Sequence, residues 1–257
     1  MTTRLIVTGA AVAFVASRAF AADVAEPSAY DWSGPYVGLT AGYAWGRADG
    51  SVEIPSDAEI DELAAELAED VLDGNTKADG FNGGLTLGFN HQIDNLVFGI
   101  EGDASFLDLD GSREAERPGF GAARGRDELK ADLLATLRLR AGLAVDQTLF
   151  YVTGGGAYTD AKVRRDLDWS FVSGCPDAGG DYERCHSGSA EFDIGWTIGA
   201  GLEHALASNV SLKMEYLYAD FGKEDFDTEN PEVEGQTMQH SFDLDMHIVR
   251  AGLNWRF

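Results

Sequence analysis

From residue 129 to 145 the chain keeps one strict alternation, with Leu129, Ala131, Leu133, Ala135, Leu137, Leu139, Ala141, Leu143 and Val145 set against Lys130, Asp132, Thr136, Arg138 and Arg140. From Lys130 to Arg140 the one apolar exception on the polar side is Leu134. A period of two places the apolar set on one face of a strand, whereas an amphipathic helix would space its leucines by three and four. Similar segments recur at 37–45, 81–90, 96–106, 149–160, 192–203, 210–218 and 249–257. Most are close to the roughly ten residues of a tilted membrane strand. In the sixth, Phe192, Ile194 and Trp196 share the apolar face; in the fifth, Gly154, Gly155 and Gly156 obscure the faces, and small residues inside a barrel account for them.

After residue 21 no stretch is apolar for the length of a membrane helix, so a membrane-spanning form must be a closed set of strands. The connections support this. Those around Asp94-Asn95, Asp146-Gln147 and Ser208-Asn209 are short, while 49–77, 108–127, 166–190 and 222–242 are long and polar. The expected fold is therefore all-β: an eight-stranded antiparallel up-and-down transmembrane β-barrel with long loops on one side. Ser56 and Glu59 make a capping box in the first long loop, and Ile60, Leu63, Leu67 and Val71 line a short amphipathic helix before Gly74. This helix either rests on the barrel mouth or meets a partner.

Residues 1–21 read as a signal peptide: Arg4, an apolar run over 5–16, and Ala19-Phe20-Ala21, with cleavage expected after Ala21. Residues 22–33 then form an N-terminal segment and 34–257 the barrel. Cleavage removes Arg4 and Arg18 and no acid, so the net charge of −25 becomes −27. Nucleic acid is disfavoured as a partner, because phosphate binding needs a basic footprint. An exported chain meets an oxidising compartment, so Cys175 and Cys185, nine intervening residues apart in a Gly- and Asp-rich stretch, are expected to pair rather than remain free thiols. With only His186 beside them they fall short of a four-ligand zinc site.

The inward faces carry opposite charges that need partners if withdrawn from water. Glu101, Arg138, Arg140, Glu215 and Arg250 fall at similar depth and are expected to form an ionic plug. The alternative is a charged constriction in a narrow porin-like channel for small solutes. No residues are assigned to catalysis, cofactor or metal. His240-Ser241 falls in the last long segment and His204 near a short turn, so neither builds a lipid-facing acyl-transfer site. The glycine run lacks a following Lys-Ser or Lys-Thr and is no phosphate loop.

The stretches Asp31-Trp32-Ser33-Gly34-Pro35-Tyr36-Val37-Gly38, Tyr151-Val152-Thr153-Gly154-Gly155-Gly156-Ala157-Tyr158 and Glu215-Tyr216-Leu217-Tyr218, with the ending at 247–257, resemble the opacity-type and porin-family outer-membrane barrels of alphaproteobacteria. The resemblance covers the strands, not the long loops. It implies an OmpA-like transmembrane barrel without a peptidoglycan domain, placed in the outer membrane, supporting envelope integrity and meeting host or environmental surface ligands. It also implies that the final strand, ending in Phe257, is read by the barrel-insertion machinery. In that membrane Arg47, Arg124, Arg126, Arg164 and Arg165 are expected near lipopolysaccharide phosphates, either as specific ligands or as simple interface anchors.

Overall fold

The structure is a computed structural model that describes residues 30–53, 73–117, 123–169, 186–229 and 237–257. The expected signal peptide, the expected loop helix and Cys175 and Cys185 lie outside the described residues. Eight strands follow in order: β1 (Gly34–Glu53), β2 (Gly74–Ile93), β3 (Leu96–Arg117), β4 (Ala123–Val145), β5 (Thr148–Trp169), β6 (His186–Ala207), β7 (Val210–Glu229) and β8 (Thr237–Arg256). Each pairs antiparallel with the next, and β8 returns to β1 from Tyr36↔Arg256 to Glu53↔Gln239, so the barrel is closed. Closure removes the sheet edges that lipid cannot satisfy.

The three short turns stand where the sequence placed them. Asp94 and Asp146 open two of them in the left-handed region, with φ of 53° and 54°. Aspartate is one of the few side chains that tolerates this backbone.

The strands run far past their expected outer ends. Segments 49–53, 74–77, 108–117, 123–127, 166–169, 186–190, 222–229 and 237–242 were expected in loops and are strand. Their polarity concealed them: beyond the lipid an outward side chain can carry charge, so Arg126, Glu128 and Lys130 face out while Asp127, Leu129 and Ala131 face in. Strands of 20 to 23 residues are about 70 Å long, and at a tilt of about 40° stand roughly 50 Å tall. An apolar band covers about 25 Å of such a height.

Two bulges shift faces that strict alternation misplaces. On β4, Asp132 and Leu133 both point outward, so Leu129 and Ala131, expected on the lipid face, turn into the lumen. Both backbone N–H groups of the bulge donate to Asp160 Oδ1 on β5, at 2.9 and 2.8 Å. On β6, Asp193 and Ile194 both face out, and Phe192 turns inward. Gly154 and Gly156 lie on the outward register of β5, with only Gly155 on the inward one, so the glycine run is not simply luminal.

Candidate functional site

The interior is layered from the short-turn end outward. At that end Trp32, from the N-terminal segment, is fully buried against Val97, Ala144, Leu149, Tyr151 and Ala205. Its backbone N–H donates to Gln92 Oε1 at 2.8 Å, and the Arg256 guanidinium covers the Tyr30 and Trp32 rings at 4.7 and 4.9 Å. The next layer is ionic. Above it lies an apolar layer that includes Leu107, Leu129, Leu134, Phe192, Phe221 and Ile248.

The ionic layer holds Glu101, Asp103, Glu203 and Glu215 against Arg138, Arg140, Lys213 and Arg250, none more than 7% exposed. Four carboxylates face four cations, so the layer is neutral as a whole. Arg138 is central: it donates to Glu101 (2.5 Å), Asp103 (2.8 Å), Glu215 (3.0 Å) and Thr136 Oγ1 (2.8 Å). Arg250 donates to both Asp103 oxygens at 2.9 and 3.1 Å and to Glu215 Oε2 at 2.8 Å. Lys213 Nζ donates to both oxygens of Glu101 at 3.0 Å. Charge-assisted, multiply shared bonds of this kind are the strong ones, and they offset the cost of taking eight charges from water.

Of the five residues singled out in the sequence, Glu101, Arg138, Glu215 and Arg250 form one connected group. Arg140 stands at its edge, 3.9 Å from Glu101, and pairs with Glu203 at 2.5 Å while its guanidinium lies 3.6 Å above the Tyr151 ring. Sequence reasoning missed Asp103, Lys213 and Glu203. Their signal was available: Asp103 and Lys213 lie two residues from Glu101 and Glu215, on the same strand faces. Tyr36 and Tyr151 were missed because Tyr36 precedes the first alternating segment and the glycine run left the faces of the fifth unassigned; both are buried, Tyr36 donating to Glu101 at 2.7 Å and Tyr151 to Glu215 at 3.0 Å.

A second ionic group lies nearer the outer mouth. Arg165 pairs in a two-pronged fashion with Asp127 at 2.7 and 2.9 Å, lies over the Phe242 ring and approaches His240 Nδ1 at 3.4 Å. Arg165 thus faces the lumen, which removes it from the set expected to face lipid head groups, because its position shares the inward parity of Val163. Arg47, Arg126 and Arg164 do point outward and pair with Asp49, Glu128 and Asp166 at 3.0, 3.0 and 3.3 Å. The side chain of Arg124 is outside the described residues. His240 is buried, whereas His204 is exposed beside Thr148 at 3.0 Å.

The outer wall completes the picture. Leu85, Leu87, Leu137, Leu139, Val152 and Ile198 are exposed in mid-barrel, with Trp45, Tyr158 and Trp196 on the long-loop side and Phe89, Phe98, Phe150 and Trp255 on the other. An apolar band between two aromatic girdles, around a closed barrel with a filled lumen, defines a small membrane-spanning barrel.

The chain belongs to the outer membrane protein beta-barrel domain family, whose model matches residues 8–257, and it is an outer-membrane protein. It is 34% identical over 265 residues to the 31 kDa outer-membrane immunogenic protein of Brucella melitensis, covering 98% of this chain and 99% of that protein. To the 22 kDa outer membrane protein of Rhizobium leguminosarum it is 26% identical over 178 residues, covering 69% and 67%. Among solved structures, the outer membrane protein OprG of Pseudomonas aeruginosa is similar, with 14% identity, a TM-score of 0.48, and coverage of 88% of this chain and 97% of that one.

Proposed function

We propose that this protein is a structural and surface-exposed component of the outer membrane, with a lumen closed to ions and solutes and no catalytic role. The neutral ionic layer carries this reading: four carboxylates and four cations, all buried, bridge from β3 and β4 across to β7 and β8. The apolar layer beyond it adds a second barrier, because an ion there would lose its water without gaining a partner. On this reading the tall outer half of the barrel presents the loops to host or environmental ligands. Arg47, Arg126 and Arg164 face the lipopolysaccharide level, and Phe257, exposed at the end of β8, serves recognition by the insertion machinery.

Planar-bilayer recording of the refolded protein tests the reading. The wild type is expected to be electrically silent, and Glu101→Gln to produce brief openings. Long-lived ohmic channels in the wild type would replace closure with a narrow pore.

A further inference from the structure

The seam between β1 and β8 differs from every other strand pair. Each of the others is joined by a turn or a loop at one end, whereas β1 and β8 are the first and last strands and no connection joins them at either end. Pairing segments so far apart in sequence costs chain entropy that no local connection reduces. With nothing to tether it, the short-turn end of this seam is where the wall should part first.

Residues 30–34 sit at that point. Gly34 has a φ of 117°, a backbone that residues with a side chain rarely adopt, and it forms the bend where the preceding residues leave the line of β1 for the lumen. Trp32 lands there fully buried on Val97, Ala144, Leu149, Tyr151 and Ala205, which come from β3, β4, β5 and β6 across the lumen. Asp31 Oδ1 accepts from the Ser33 N–H at 2.9 Å and fixes the approach. The segment then grips both neighbours of β1. On β2, Gln92 is held twice, its Oε1 accepting from the Trp32 N–H at 2.8 Å and its own N–H donating to Ser33 Oγ at 3.1 Å. On β8, Arg256 donates to the Asp31 carbonyl and lies over the Tyr30 and Trp32 rings, and the Phe257 N–H donates to the Pro35 carbonyl at 3.2 Å.

We infer that residues 30–34 are a latch on the β1–β8 seam, with Trp32 as its bolt and Arg256 as its catch. They supply at the short-turn end the tether that chain connectivity supplies to the other strand pairs. For β8 to peel away from β1 there, the Arg256 guanidinium must leave the Asp31 carbonyl and both rings, and the rings are in place only while Trp32 keeps its seat. The latch therefore controls sideways opening of the wall, a property separate from whether the lumen conducts.

Hydrogen exchange of the wild-type protein in detergent micelles, followed by NMR at stepped urea concentrations, tests the latch. The Trp32 indole N–H and the protected backbone N–H groups at 36–40 and 252–257 should exchange in one opening event with a shared urea dependence. That event should precede exchange at 141–145 and 148–152, where Asp146-Gln147 joins the strands. Seam groups that exchange while the Trp32 indole stays protected, or a seam as well protected as the β4–β5 pair, would overturn it. Two variants separate a latch from ordinary packing. Trp32→Ala should speed exchange along the seam about tenfold or more and leave 141–145 within about twofold, whereas Leu149→Ala, which opens a cavity in the same seat from β5, should loosen 141–152 instead. An even effect of Trp32→Ala on both pairs means that Trp32 is only core, and the latch is wrong. Should either variant fail to fold, the wild-type exchange decides.

Discussion

At the scale of single residues the interior works by laying a large side chain over a glycine of the neighbouring strand. A methyl group added at Gly88 would stand 2.2 Å from Tyr36 Cζ, and one at Gly201 would stand 2.5 Å from Tyr151 Cζ. Both glycines permit a tyrosine to lie flat and deliver its hydroxyl to the ionic layer. Gly88→Ala should therefore push Tyr36 off Glu101 and cost about 1 to 3 kcal/mol, as overpacking does. Gly156→Ala meets open space and should be tolerated, both read by urea unfolding with the heat-modifiable gel shift. Charge follows the same positional logic. Glu101→Gln leaves Arg138 and Lys213 short of a counter-charge, and breaking such a pair typically costs about 3 to 5 kcal/mol at a dry site. Arg47→Gln, at an exposed pair, should stay within about 1 kcal/mol on the same assay.

At the scale of strands, the bulge on β4 decides which side chains fill the outer half of the lumen. Without the doubled outward step at Asp132 and Leu133, alternation would send Leu129 and Ala131 to the outer wall and charged neighbours inward. Asp160 holds this step by accepting from both freed amides. Asp160→Ala should destabilise the barrel by about 1 to 2 kcal/mol, with Asp160→Asn, which keeps an acceptor, restoring most of the loss in the same urea titration. The short turns make a second point about elements. Asp94→Val forces a β-branched residue into the left-handed region and should cost about 1 to 2 kcal/mol, whereas Asp94→Gly should be neutral or better.

At the scale of the molecule, a closed sheet with an apolar outer band has no stable form in plain water. The protein should fold only with detergent or lipid and migrate differently when unheated; a monodisperse folded protein recovered without amphiphile would contradict this. The barrel should also survive reduction. The described strands already close the barrel, and bridging a segment as short as that between Cys175 and Cys185 contributes at most about 3 kcal/mol on the chain-entropy model. Mass spectrometry of the unreduced protein checks the pairing itself, two alkylatable thiols being the contrary result.

Alternation, turn chemistry and the absence of an apolar helix were enough to specify eight strands, three tight turns and an apolar outer wall, because in lipid the period of two is imposed at every strand by the solvent outside. The inward placement of Glu101, Arg138, Arg140, Glu215 and Arg250 was legible for the same reason. Where that solvent ends, the rule ends. Outside the bilayer both faces of a strand accept polar residues, so the outer strand halves looked like loops. Bulges shift the face by one residue without changing composition, so Leu129, Ala131 and Phe192 could be placed only by the paired neighbours. The partners of Arg140 and the inward turn of Arg165 depend on which side chains reach across the lumen. That is set by strand stagger and barrel closure, a relation between distant segments that no local pattern encodes.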